Sequence, residues 1–109
     1  MTQKITPYQV VLVTVSDKEE AEYLAHKLLE AKLVACANIL DGVNSFFRWQ
    51  GAIDHASECL MVLKTKVDLF DDLKSAIKNS HSYDVPEIIA LPIINGNKDY
   101  LDWIEDSLQ

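Results

Sequence analysis

Two long strand-like runs placed back to back constrain this chain more than any other feature. Ala35 to Leu40 reads as strand, Asp41-Gly42 as a bulge or bend, and Val43 to Trp49 as the strand resumed. Gln50-Gly51 is a tight turn, and Ala52 to Thr65 runs back. At about 3.3 Å per residue, strands of about 14 residues reach about 46 Å. A helix of about 15 residues spans only about 22 Å. The distal half of the hairpin, carrying Phe46, Phe47 and Trp49, therefore projects past any helix packed on its base. Exposed aromatic strands aggregate unless another chain covers them, so the hairpin predicts sheet-to-sheet assembly between subunits.

The rest of the chain supplies the domain from which that hairpin grows. Tyr8 to Val15 is β-branched and almost continuously apolar, the pattern of a central strand. Ser16 with Glu19 reads as a capping box, with Asp17 and Glu20 favouring the positive end of a helix dipole. Ala21, Leu24, Ala25, Leu28 and Leu29 then recur as one apolar stripe. Thr65 and Asp68 offer a second cap signal before Leu69, Phe70, Leu73, Ala76 and Ile77, a helix expected to end near Asn79. After a polar connection from His81 to Pro86, Glu87 to Ile94 is the last strand. Pro92 inside it removes a ladder donor and marks an edge. Asn97 caps a final helix on which Tyr100, Leu101, Ile104 and Leu108 can pack.

The order β-α-β-β-α-β-α, with right-handed crossovers in both βαβ halves, puts the two main helices on one face of an antiparallel sheet. The expectation is a single α+β domain over residues 1–109: a ferredoxin-like sheet with an added C-terminal helix and a protruding hairpin.

At 109 residues and 49% hydrophobic composition the chain can bury a core without staples. Cys36 and Cys59 are too few for a disulfide scaffold and suit a reducing compartment. Residues 1–7 hold no apolar stretch of the signal-peptide kind, and no segment approaches the roughly 18 apolar residues of a membrane helix. The cytoplasm is the expected location. A net charge of −7, from 17 acidic and 10 basic residues, works against nucleic acid or an anionic membrane as partner and permits cations. The sequence contains no Gly-rich phosphate loop, GxSxG or HExxH, so a non-enzymatic role is expected.

Five segments together carry a resemblance: Leu33-Val-Ala-Cys-Ala-Asn38, Phe47-Arg-Trp-Gln-Gly51, Leu63-Lys-Thr65, Tyr83-Asp-Val-Pro-Glu-Ile-Ile-Ala-Leu-Pro92, and Gly96 with Asp99-Tyr-Leu-Asp-Trp-Ile104. In that order they resemble the CutA family of divalent-cation tolerance proteins along nearly the whole chain. The resemblance implies a ferredoxin-like homotrimer whose hairpins pair with neighbouring subunits. It also implies a role in tolerance of copper and other divalent metals.

His81 and Glu87 are the metal candidates, an imidazole and a carboxylate flanking one connection, near the positions where the family is thought to bind copper. Two departures weaken the site: Val13 stands where the family has a first-strand cysteine, and Ser82 where it has a proline. Two ligands without a thiolate imply weak binding of Cu2+ or another divalent cation. The structural alternative makes His81 a cation at a helix end and Glu87 a partner for Lys64 or Arg48. Arg48, Trp49, Lys64 and Tyr83 form a second group that the resemblance brings to a cleft between subunits. Such a cleft would serve either as a hydrogen-bond cluster or, in a reading akin to the PII proteins, as an effector site of a small-molecule signalling module. Against the PII reading stands the tight Gln50-Gly51 turn, where those proteins carry a long mobile loop. Cys36 and Cys59 read as core thiols, His26 and His55 as surface histidines, and Tyr100 and Trp103 as packing for the last helix.

Overall fold

The structure, a computed structural model, describes residues 5–109. Along the chain run β1 (Tyr8–Val15), α1 (Lys18–Glu30), β2 (Cys36–Trp49), β3 (Ala52–Lys66), α2 (Phe70–Ser80), β4 (Ile88–Pro92) and α3 (Lys98–Ser107), with a short 3-10 turn at Val67–Leu69 leading into α2. The strands form one antiparallel sheet in the order β2-β3-β1-β4. β1 is central, as its unbroken apolar run requires, and β4 with its Pro92 is an edge.

Alternation along the strands sorts side chains to two faces. Val11, Val13 and Val15 of β1 and Cys59, Met61 and Leu63 of β3 are almost fully sealed beneath Leu24 and Leu28 of α1 and Leu73 and Ile77 of α2. On the opposite face Val10, Leu12 and Val62 are half-buried, while Leu40, Ile89 and Leu91 are exposed. α3 covers one end of that second face. There Tyr8 and Lys66 reach Glu105, and Ile104 and Leu108 pack with Tyr8 and Leu69.

Two cap assignments from the sequence are corrected. Asp17, one residue later than expected, caps α1 by accepting from the Glu20 amide at 2.8 Å. Glu20, not Glu19, reaches back to the Ser16 amide and hydroxyl, at 3.2 and 2.7 Å. Thr65 caps nothing. It is fully buried near the end of β3 and donates to the Leu33 carbonyl at 2.7 Å, because the strand runs one residue further than the hydroxyl suggested.

The hairpin behaves as its length demands. β1 accompanies β3 only from Cys59 to Lys66, so residues 52–58 pair with β2 alone. Gln50 and Gly51 both have positive φ, 48° and 80°, the conformation a two-residue turn needs to match the twist of its strands. Leu40 pairs with Leu60 and Val43 with Glu58, so Asp41 and Gly42 together oppose Cys59 as a bulge, with Gly42 at φ 69°. That extra residue resets the alternation. Beyond it Ser45, Phe47 and Trp49 share a side with Glu58, Ala56 and Asp54, which is the open face of the sheet.

Candidate functional site: an acidic, aromatic cleft beside the hairpin

Phe47 and Trp49, turned to the open side by the bulge, meet the connection that follows α2 and enclose a cleft of about 740 Å³ with it. Ser45, Phe46, Asp54, Ala56 and Glu58 complete the hairpin wall. Tyr83, Asp84, Val85 and Glu87 form the other, and Thr14 lies at the base. Among the described residues four carboxylates line this space and no Lys, Arg or His does. Its potential is therefore negative and suited to a cation.

A chain of hydrogen bonds fixes the connecting wall. His81, whose side chain is fully buried, bonds through Nε2 to the Thr14 carbonyl at 2.8 Å and accepts from the Tyr83 amide at Nδ1, at 3.0 Å. An Nδ1 that accepts leaves the proton on Nε2, so this arrangement holds the neutral imidazole rather than a helix-end cation. Glu20 reaches across from α1 to accept from the Ser82 amide and hydroxyl, both at 2.9 Å. Burial alone would raise the Glu20 carboxyl, but the hydrogen bonds from Ser16 and Ser82 outweigh it and hold the group below its usual range. Ser82, which stands where a proline was expected, thus has a local reason: its amide and hydroxyl are both used.

At the base of the cleft the Tyr83 hydroxyl donates to Glu58 Oε2 at 2.8 Å. Burial and that carboxylate push the phenol up to about 12. Glu58 itself is nearly buried at 8% exposure.

Within one chain the structure brings Trp49, Tyr83 and Glu87 to the cleft and leaves the other candidates outside it. His81 stands behind Tyr83 as the anchor of the wall. Arg48 pairs with Ile53 and points to the opposite side of the hairpin. Lys64 sits far along β3, where its ammonium bonds Asn38 and approaches Cys36 Sγ at 3.8 Å. Glu87 forms no ion pair among the described residues, with Lys64, Arg48 or any other group. Nor, among the described residues, are three or more His, Cys, Asp or Glu side chains grouped so as to hold a metal. Cys59 is sealed, its thiol pushed up to about 11 by burial and by donation to Asp41 at 3.2 Å. His55 stacks on Phe46 at 5.5 Å, and Tyr100 lies against Trp103 at 5.4 Å.

Glu58 and Glu20 escaped the sequence reading. Glu58 carried a usable signal, a lone charge entering the apolar run of a strand about to become central. Glu20 looked like an ordinary first-turn acid, and only the fold shows what it reaches.

Fold and cleft together define a small α+β protein with one uncovered apolar sheet face and an acidic pocket at its margin. A family model described as CutA1 divalent ion tolerance protein matches residues 9–107. A divalent-cation tolerance protein CutA of Thermus thermophilus is 46% identical over 99 residues, 91% of this chain and 96% of that one. The chloroplastic protein CutA 1 of Oryza sativa is 43% identical over 106 residues, 97% of this chain and 60% of that longer protein. The crystal structure of CutA1 from Oryza sativa superposes with a TM-score of 0.93 at 43% identity, covering 96% of each chain. The chain belongs to the CutA1 divalent ion tolerance family.

Proposed function

We propose that this protein is a non-enzymatic homotrimer that binds divalent cations weakly, copper among them, at the mouth of the cleft and thereby contributes to metal tolerance. The observation that carries the reading is a cleft lined, among the described residues, by four carboxylates and no basic residue, opening beside a largely uncovered apolar sheet face. The strand order β2-β3-β1-β4 with α1 and α2 on one face supports a ferredoxin-like sheet. The open face and the projecting aromatics support closure by two further copies.

Glu87, exposed at the rim, is the first ligand in this reading. His81 would have to release Thr14 or Tyr83 to bind a metal, so its part is to hold the wall that carries Glu87, with ligation possible only after that release. One carboxylate completed by water or by a neighbouring copy explains weak affinity. Two free cysteines support a reducing compartment, and we place the protein in the cytoplasm, which cell fractionation tests.

Titration with Cu2+ by calorimetry should give saturable heat and a raised melting temperature, both reduced several-fold in Glu87→Gln. An unchanged melting temperature up to millimolar Cu2+ removes the reading. The size of the cleft also admits a PII-like effector, but the two-residue turn leaves that reading without its mobile loop. Stabilisation by a nucleotide and not by metal in a thermal-shift screen would reverse the preference.

A further inference from the structure

Between β4 and α3 the chain crosses an exposed connection that contains its only asparagine followed by glycine, Asn95-Gly96. Asn38, Asn44, Asn79 and Asn97 precede Ile, Ser, Ser and Lys, and the first three lie inside a strand or helix. The Gly96 amide takes no part in the sheet. Its acceptor among the described residues is Asn95 Oδ1, at 2.9 Å. That bond folds the Asn95 side chain back over its own peptide and brings the Gly96 nitrogen against Asn95 Cγ, the two atoms that would close a five-membered ring.

The fold gives glycine a reason to stand here. A Cβ on Gly96 would meet Leu101 Cδ2 at 3.3 Å, so the first turns of α3 approach this backbone too closely for a side chain to enter without displacement. Leu101 in turn packs on the cluster of Tyr8, Leu69, Ile104 and Leu108. The packing that keeps glycine also leaves the nitrogen unshielded, because no β-carbon stands beside it. All of these contacts are made within one chain, whatever number of copies assemble.

We propose that Asn95 is a site of spontaneous deamidation, driven by its own backbone. The Gly96 amide gives its proton to solvent base, and its nitrogen bonds to Asn95 Cγ. The Cγ–Nδ2 bond breaks, and ammonia leaves with a proton taken from water, which yields a cyclic imide. Water then opens the imide at either carbonyl. One opening gives aspartate; the other gives isoaspartate, whose main chain runs through the former side chain and is longer by one carbon. No oxidant or cofactor enters. Either product adds one negative charge to the −7 of the chain, two residues before the Asn97 cap, where the dipole of α3 favours an anion. The isoaspartate form also lengthens the tether between β4 and α3. This chemistry is independent of the metal reading at Glu87, and each can fail alone.

The assembled protein, aged in neutral buffer at physiological temperature and then digested, should gain one mass unit in the peptide holding Asn95, as separable aspartate and isoaspartate forms. Conversion there should run at least about tenfold faster than in the peptides holding Asn44 or Asn79. Its rate should equal or exceed that of the free peptide from Ile93 to Lys98, since the fold holds the ring-closing geometry. Gly96→Ala should slow it at least about tenfold. Asn95→Gln, whose ring would need six members, leaves Gly96 and Leu101 untouched; it should keep the parent's melting curve and stay constant on ion exchange while the parent chain grows more acidic. The proposal is overturned by an Asn95 peptide that keeps its mass, or by conversion no faster than at Asn44 and Asn79. A native rate well below that of the free peptide, conversion undiminished in Gly96→Ala, or equal acidification of Asn95→Gln would overturn it as well.

Discussion

On the helix side of the sheet Val11, Val13, Met61 and Leu63 are completely sealed, while across the same strands Leu40, Ile89 and Leu91 stay 48%, 49% and 50% exposed. The residue types hardly differ. A near-continuous apolar strand needs burial on both faces, and here α1 and α2 cover one face while α3 covers only one end of the other. The difference between the faces is therefore one of molecularity: α1 and α2 close the first within the chain, and the second is left to the assembly we propose.

The sharpest test of the covered face is Leu24→Ala. Leu24 is fully buried among β1, β3 and the helices, and its truncation should cost about 3 kcal/mol in chemical denaturation. A loss below about 1 kcal/mol would show a core loose enough to collapse around the gap.

Ile89→Lys probes the open face. Because the side chain is half exposed in the single chain, its local effect on folding should stay within about 0.5 kcal/mol. In the proposed homotrimer the ammonium would meet an apolar partner. Light scattering should then report a mass falling from three times the 12.3 kDa chain toward one. A retained trimer would mean that this face is not the contact.

These two faces also separate what was legible in the sequence from what was not. The covered face follows from local periodicity: the stripe Ala21, Leu24, Leu28 and the alternation of β1 specify it without knowledge of partners. The projecting hairpin was equally legible, since strand and helix lengths are fixed by geometry. The cleft was legible only in part. Tyr83, Trp49 and Glu87 could be grouped through resemblance, but Glu58 joins them only once the bulge at Asp41-Gly42 has set which β2 residues share its side. A one-residue offset of that kind reverses every side chain beyond it, and sequence periodicity cannot fix the register across it. The cap at Asp17 rather than Ser16 has the same origin, two adjacent side chains with equal capping chemistry.

Each face also holds a polar group that its surroundings must satisfy. On the covered face Thr65→Val keeps the shape, removes the donor to the Leu33 carbonyl, and should destabilise by about 1–2 kcal/mol in the same denaturation assay. Serine at this position, which keeps the hydroxyl, should recover most of the hydrogen-bond component. Recovery of nothing would place the effect in packing instead.

On the open face Tyr83→Phe should cost less, about 1 kcal/mol at neutral pH, because the cleft lets water replace the lost donor to Glu58. Its pH dependence is the more telling quantity. The phenol is pushed from its ordinary 10.0 up to about 12, so the folded chain keeps a proton that the unfolded chain releases between those values. Stability from Tyr83 is therefore complete below pH 10 and lost as pH rises through 12. The sealed Cys59, raised to about 11 on the other face, adds an alkaline loss common to both proteins, and it cancels in the comparison. The stability gap between the parent chain and Tyr83→Phe should narrow steadily across that window. A constant gap would mean that Glu58 does not hold the phenol, and that the cleft wall rests on His81 and Glu20 alone.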